Sequence, residues 1–376
     1  MPPKPFSLQS LFNKLIHLLP WLLMIGLFFF NATFLYQSRQ LGDFGSFIAS
    51  GTAARTGLNP YENYPLTSRA EYADSKAMFP NLNPPISVLL FEQLSTFDPF
   101  STLQVWRVLS VLLYILALSM LYRVYKIKIF WLAWALTLAG FWDTLVLGQI
   151  YIPLFAAAVG AWLYLLTNKP VQAGILIGIV CAFKPNMLVW PAFLLLANQH
   201  RAALWSVLSA GFLSILPILK YGLGIYAAWL NTVTLTTWKA MPHYASLFNL
   251  SERLGVPWLG FPLVFLLLAC LAWWVWRTQP SALKVSAPAI VAAYLVSLLA
   301  SPRFALFLIP IFFAWPKGIH LKISAALLLI PTSLIIWLGF QTKSYAIALG
   351  MVYPLALLLL LWQTLKSSPS IEEYKL

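Results

Sequence analysis

Acidic residues are scarce in this chain: ten Asp and Glu among 376 residues, with four His and two Cys. Each shortage removes a class of function. The two cysteines, Cys181 and Cys270, lie inside apolar runs; they suggest neither a disulfide framework nor a thiolate metal site and read as buried thiols. No HExxH, CxxC or DxD spacing occurs, so no metal site is expected, and there is no GxxxxGK[ST] phosphate loop. Metal-assisted nucleotide-sugar chemistry and ATP-driven transport thus lack their usual marks. Nor does a Ser-His-Asp set assemble. Charged residues of either sign are only 9% of the chain, and apolar residues are 61%, with seventeen Trp. With a mean hydropathy of +0.80, this is a membrane protein and not a soluble domain.

The net charge of +14 is spread in a way that argues against a nucleic-acid partner. Arg123, Lys126, Lys128, Lys169, Arg201, Arg277, Lys284, Lys317, Lys322 and Lys366 fall in short turns that hold no acid. That pattern marks cytoplasmic turns. Asp43, Glu62, Glu71, Asp74, Glu92, Asp98, Asp143 and Glu252 fall in the complementary, outer segments, and Glu372 and Glu373 in the C-terminal tail.

The expected fold is an all-α integral membrane protein, one polytopic domain over residues 1–376. The apolar runs predict about twelve crossings with both termini in the cytoplasm of the plasma (inner) membrane. They cover residues 18–37, 101–123, 128–146, 149–167, 172–184, 186–198, 203–221, 257–277, 285–301, 302–316, 321–339 and 344–363. The first run is too long for a signal peptide and lacks a cleavage site. Residues 172–198 are broken by Lys184-Pro185-Asn186 and are read as two short helices; one kinked helix would place Arg277 and Lys284 outside. Segments 38–100 and 222–256 are both placed outside, where long loops are usually functional. In the first, GDFGSFIASGTAARTG predicts a helix with Asp43 as its N-cap and Gly57 as its stop, and PPISVLLFEQLS, too short to span, predicts a helix lying at the interface or dipping into it.

Asp43 is either that cap or a general base, a carboxylate beside a hydroxyl in a partly dry cavity. Asp143, in FWDTLVLGQ, is the rival carboxylate, with Thr144, Gln149 or Lys184 as its candidate partners. Lys184, an ammonium between apolar helices, is either a snorkelling helix end or a phosphate contact. Arg303, after Ser301-Pro302, is either a boundary residue or a second phosphate contact. Arg253 can pair with Glu252 or with headgroups, and Ser246 reads as a helix cap. His243, the lone histidine of the outer segments, reads as polar surface.

In order, the chain carries GDFGSFIASGTAARTGLNPY, PNLNPPISVLLFEQLS, LQVWRVLSVLL, LGQIYIPLFAAAVGAWLYL, AGILIGIVCAFKPNMLVWPAFLLL, HYASLFNLSERLG and LLASPRFALFLIP. This ordered set resembles glycosyltransferase family 87, polyprenol-phosphate-mannose-dependent alpha-mannosyltransferase-like proteins of the GT-C superfamily. The resemblance implies a GT-C-like helical bundle that moves a hexose, mannose above all, without a nucleotide: an inverting transfer from a polyprenyl-phosphate donor. The acceptor would be a glycolipid or glycan hydroxyl on the outer face, and no cofactor is involved. It places the base at Asp43. The motif residues Asn59, Tyr61, Asn83 and Gln149 join Lys184, Arg303, Arg253 and Ser246 as expected contacts to substrate or lipid phosphate. Two stretches depart from the family pattern: Tyr244-Ala245-Ser246, where many relatives have Asn-Gln-Ser, and Arg303-Phe304-Ala305-Leu306-Phe307, where relatives often carry polar residues. Two other classes stay open, a carrier of lipid-linked sugars or small solutes and a non-catalytic envelope-assembly protein. Paired broken helices would mark a carrier; the chain shows one clear break, at Lys184-Pro185.

Overall fold

Helix length follows what each apolar run faces. The computed structural model describes residues 8–72, 75–235, 241–315, 317–339 and 341–369. The tail acids Glu372 and Glu373, and Asp74, lie outside these residues. Among the described residues, five helices are long and apolar enough to cross a membrane: Leu18–Gln37, Pro99–Tyr125, His200–Tyr221, Pro257–Thr278 and Ser344–Lys366. Each turns large apolar side chains outward, among them Phe29, Val105, Leu219, Phe265 and Trp362, as lipid-facing helices do. Two bent pairs, Ile129–Thr137 with Ala139–Leu147 (40°) and Ile319–Leu327 with Thr332–Gly339 (70°), raise the number of spans to as many as seven where each pair is one broken span and not a re-entrant loop. The expected count of twelve is therefore not reached on length. The other runs, Tyr151–Leu166, Pro170–Phe183, Pro185–Leu196, Ala282–Leu295 and Pro302–Ala314, form shorter helices. Several of these are central. Ala282–Leu295 is buried along nearly its whole length, as is Pro302–Ala314. Short and broken helices are tolerated at membrane depth when protein, not lipid, surrounds them. The chain is a multi-pass membrane protein.

The break at Lys184 is present: the helix Pro170–Phe183 stops there and a 3-10 turn, Pro185–Leu188, leads into Val189–Leu196. Glycines show how these pieces run. A Cβ on Gly174 would meet Ala202 and Ser206, and one on Gly178 would meet Ser206 and Ala210. The contacts advance together, so Pro170–Phe183 and His200–Tyr221 are parallel. The chain must reverse between them, and Val189–Leu196 is the return.

Two details of segment 38–100 differ from expectation, its first N-cap and a hairpin. The N-cap of Asp43–Arg55 is Gly42, in the left-handed region (φ 57°), and Asp43 is the first helical residue with no capping bond. The helix is buried over Phe44–Gly51 and packs on Ile86–Leu94, where a Cβ on Gly51 would lie 2.3 Å from the Phe91 carbonyl. Ile86–Leu94 thus covers another helix with one face, on which Ile86, Ser87, Val88 and Phe91 are buried. Between the two, Ser68–Tyr72 and Ser75–Phe79 form an antiparallel hairpin with Ser68 opposite Phe79, which the all-α reading did not include. Gly57 (φ 73°) follows the helix end as expected. The second outer segment joins the first through a small core of Tyr61, Val88 and Ile225. Trp229 donates to the Leu82 carbonyl (3.1 Å) and Thr232 to that of Tyr61 (3.2 Å).

Candidate active site

Two glycines bring Asp43 to Gln149. At the end of Ala139–Leu147 the chain turns through Gly148 (φ 66°), where a Cβ would lie 2.6 Å from that of Phe44. Opposite it, a Cβ on Gly42 would lie 3.0 Å from the Leu147 Cα. The two turns interlock because neither carries a side chain, and both need the left-handed backbone that glycine adopts without strain. Arg107 braces the same corner from Pro99–Tyr125: its Nε donates to the Leu145 carbonyl and its Nη2 to that of Val146, both at 2.9 Å. These are carbonyls that a helix end leaves without partners. Gln149 Nε2 then donates to Asp43 Oδ2.

The third partner arrives from the far end of the sequence. Gly140 lets the 3-10 helix Pro302–Leu308 approach so closely that a Cβ would lie 2.4 Å from the Pro302 carbonyl. Arg303 is thereby set beside Asp43, and its Nη1 donates to Oδ2 at 2.7 Å. The side chains keep 14% (Arg303) and 22% (Asp43) of their exposure. Arg303 Nε is buried with no partner among the described residues, and so is Gln149 Oε1.

Lys184 stands at the same place. Its Nζ donates to Asn83 Oδ1 (2.7 Å) and lies 4.2 Å from the centre of the Tyr151 ring, within cation–π distance. It is in electrostatic reach of both Asp43 and Arg303. Asn83 is held by Asn81, whose Oδ1 accepts from the Asn83 backbone and side chain, and whose Nδ2 donates to Ser50 and Ser87. Tyr61 OH donates to the Asn83 carbonyl (3.1 Å). Asn59 is exposed and turned to its own loop, accepting from the Tyr61 backbone and donating to Glu62. Of the loop motif residues, only Asn83 therefore touches the charged cluster; Tyr61 and Asn59 shape the loop beneath it.

Asp143 lies in the field of Arg303 and Asp43 and takes a hydrogen bond from the Thr332 side chain. Its expected partners are otherwise engaged. Thr144 Oγ1 donates to the Gly140 carbonyl, Gln149 to Asp43 and Lys184 to Asn83. Two carboxylates and two cations thus share one end of the bundle. The basic turns meet at other contacts: Lys284 with Ser368, Gln363 with the Lys317 carbonyl, Asn198 with Gln279.

Two expected site residues are committed elsewhere. Arg253 is buried, and its Nη atoms donate to the carbonyls of Met241 (2.9 Å), Tyr244 (3.0 Å) and Gly350 (2.7 Å). Burial pushes its guanidinium down to about 10, partly offset by Glu252. Ser246 is the N-cap of Leu247–Arg253, bonded to Asn249 through both backbone and side chain. His243 is buried instead of exposed; burial, then the charges of Arg303 and Arg253, push it down to about 3, so it is neutral at physiological pH. The bond from Ala245 N to the Ala300 carbonyl (2.9 Å) tethers this loop beside Arg303. Tyr151, Tyr244, Tyr294 and Thr332 also belong to the cluster; Tyr244 entered the sequence reading only as a departure from the family pattern, and the other three were not singled out. Tyrosines in a chain this aromatic look like core.

A family model, Glycosyltransferase family 87, matches residues 81–302, more than half of the chain. The match takes in Asn83, Asp143, Gln149 and Lys184; Asp43 lies before it and Arg303 directly after it. No curated protein matches. Among solved structures, ArnT from Cupriavidus metallidurans bound to undecaprenyl phosphate aligns with a TM-score of 0.37 and 14% identity, over 92% of this chain and 77% of that one. The same protein in its apo state aligns with a TM-score of 0.36 and 13% identity, over 94% and 78%.

Proposed function

The chain belongs to glycosyltransferase family 87, and from that premise we propose that it is an inverting hexosyltransferase that uses a polyprenyl-phosphate-linked donor, with mannose as the first sugar to test. The acceptor is a glycolipid or glycan hydroxyl on the outer face of the plasma membrane, with both chain termini in the cytoplasm. The observation that carries this reading is the ion pair at the mouth of the first outer segment. A partly exposed carboxylate, Asp43, is paired with Arg303 and lies in electrostatic reach of a second cation, Lys184. An inverting transfer needs those groups. Asp43 accepts the proton of the acceptor hydroxyl as its oxygen attacks the sugar C1 from the face opposite the phosphate. The C1–O bond breaks, and its electron pair leaves with the phosphate. The products are the glycosylated acceptor and polyprenyl phosphate, with the proton on Asp43.

Arg303 and Lys184 serve the departing phosphate, where fixed cations stabilise charge as it develops. Arg303 offers a fork of donors and Lys184 a point charge. Both known contacts to Asp43 fall on Oδ2, so Oδ1 is the oxygen we assign to the acceptor. The donor carries its own leaving group, and the reaction so read uses no cofactor. Asp143 is the second carboxylate in reach and the alternative base.

The test is incubation of the purified protein in nanodiscs with radiolabelled polyprenyl-phosphate mannose and a mixture of envelope glycolipids and glycans. Label moving to an acceptor supports the reading. Movement of intact donor across sealed vesicles without transfer would favour a carrier, and neither outcome would favour an assembly role. The bent helix pairs add breaks beyond Lys184-Pro185, which is why the vesicle arm belongs in the experiment.

A further inference from the structure

Gln149 carries a cost that only Asp43 explains. Its side chain amide is 7% exposed. One branch, Nε2, donates to Asp43 Oδ2; the other, Oε1, is buried with no partner among the described residues. The amide cannot be turned round to relieve this, because Oε1 would then meet a carboxylate with no proton to share. A buried acceptor left unmade costs its desolvation penalty in full, whereas an apolar side chain of similar length would cost nothing there. The backbone of Gln149 does not need the amide either. Its N–H donates to the Thr144 carbonyl (2.9 Å) and its carbonyl accepts from Trp106 (3.3 Å), and any side chain would leave both in place. The turn is set by Gly148, and the approach to Phe44 by the missing Cβ there.

We infer that Gln149 is a positioning residue for Asp43, retained at the expense of stability to fix one carboxylate oxygen and leave the other to the acceptor. The inference rests on the reading of Asp43 as the base, and it moves Gln149 from the substrate contacts to the support of the reacting group. It also divides labour at Oδ2. Arg303 is charged and is free to trade Asp43 for a phosphate; Gln149 is neutral, attracts no phosphate, and keeps its hold when Arg303 leaves.

The test compares Gln149→Met and Gln149→Glu with wild type, using three readouts. The first is thermal unfolding in detergent. A residue kept for the fold would lose stability in Gln149→Met; here the melting temperature is expected to stay within about 2 °C of wild type or to rise, because the orphaned acceptor is gone. The second is the position of the infrared carboxylate band that Asp43→Asn removes, read at one fixed pH. Asp43 is surrounded by Arg303, Lys184, Asp143 and Tyr151, which all stay. Losing a donor on Oδ2 changes the balance of the two C–O bonds, so the band is expected to shift in Gln149→Met and in Gln149→Glu. The third is steady-state transfer: kcat falls about 10- to 100-fold in Gln149→Met with donor KM unchanged, as a displaced reacting group requires. A melting temperature lowered by more than about 5 °C, with the Asp43 carboxylate band unmoved, would overturn the inference and make Gln149 structural. If wild type transfers no sugar the proposed function fails, but the first two readouts still decide whether Gln149 holds Asp43.

Discussion

Three arginines of this protein sit against polar groups in its interior, and they do opposite things. Arg107 and Arg253 give their donors to backbone carbonyls: Leu145 and Val146 in one case, Met241, Tyr244 and Gly350 in the other. Arg303 gives its Nη1 to a carboxylate. A guanidinium on carbonyls ties loops and helix ends together, and nothing that binds from outside can offer it more than it loses. A guanidinium on one oxygen of a partly exposed carboxylate has a partner that can change. The lesson is that a cation in a membrane protein is read by its partners, not by its burial.

The sharpest way to break that comparison is to remove each charge in turn. Arg303→Met is expected to cost about 100- to 1,000-fold in kcat, since fixed donors to developing charge are worth that much, with a modest loss of stability because Asp43 is reachable by water. Arg253→Met is expected to do the reverse. Three carbonyls lose their donor, and unfolding stability in detergent falls by about 3 kcal/mol, while the rate per folded molecule falls less than about tenfold. Equal effects of the two on both readouts would erase the distinction.

Lys184→Met comes next. A lost charge-assisted contact to phosphate is worth about 2 kcal/mol, which is roughly a 30-fold rise in donor KM, with acceptor KM unchanged. If acceptor KM moves instead, Lys184 belongs to the other half of the site. The smallest effect concerns Glu92, which ties Ile86–Leu94 to the end of His200–Tyr221 through Lys220 (2.6 Å) and Tyr221. Burial pushes its carboxyl up, but the bonds from Lys220 and Tyr221 outweigh it and the net shift is downward from 4.5. Its contribution is therefore present above about pH 4.5 and is lost as pH falls through the lowered folded value. Because Lys220 is 43% exposed, Glu92→Gln should cost less than about 1 kcal/mol near neutral pH, read as a small drop in melting temperature that vanishes in acid.

How much of this was legible beforehand depended on contrast. Asp43, Lys184 and Arg303 are charges set in apolar surroundings, so each stands out, and Gln149 follows a glycine. Their meeting joins residues more than 250 positions apart in the case of Arg303 and Asp43, yet the alternation of basic turns and acidic segments already placed them at one end. Arg253 has the same residue type and the same kind of neighbours; only its carbonyl partners, set by how the outer loop folds back on Gly350, reveal its task. Tyr151, Tyr294 and Thr332 were invisible for the opposite reason, because aromatic and hydroxyl residues in a largely apolar chain look like packing. The count of twelve crossings is not confirmed on length, because an apolar run does not record whether lipid or protein faces it. Ala282–Leu295 and Pro302–Ala314 are short, and both are buried by their neighbours.

The central claim is that Asp43 takes the acceptor proton, and its most direct test is sugar transfer by Asp43→Asn beside Asp143→Asn, in nanodiscs with the same labelled donor. The account predicts that Asp43→Asn loses about 100- to 10,000-fold in kcat, the value of a general base, while Asp143→Asn stays within about tenfold of wild type. Transfer by Asp43→Asn at the wild-type rate, with loss in Asp143→Asn, would contradict it and make Asp143 the base.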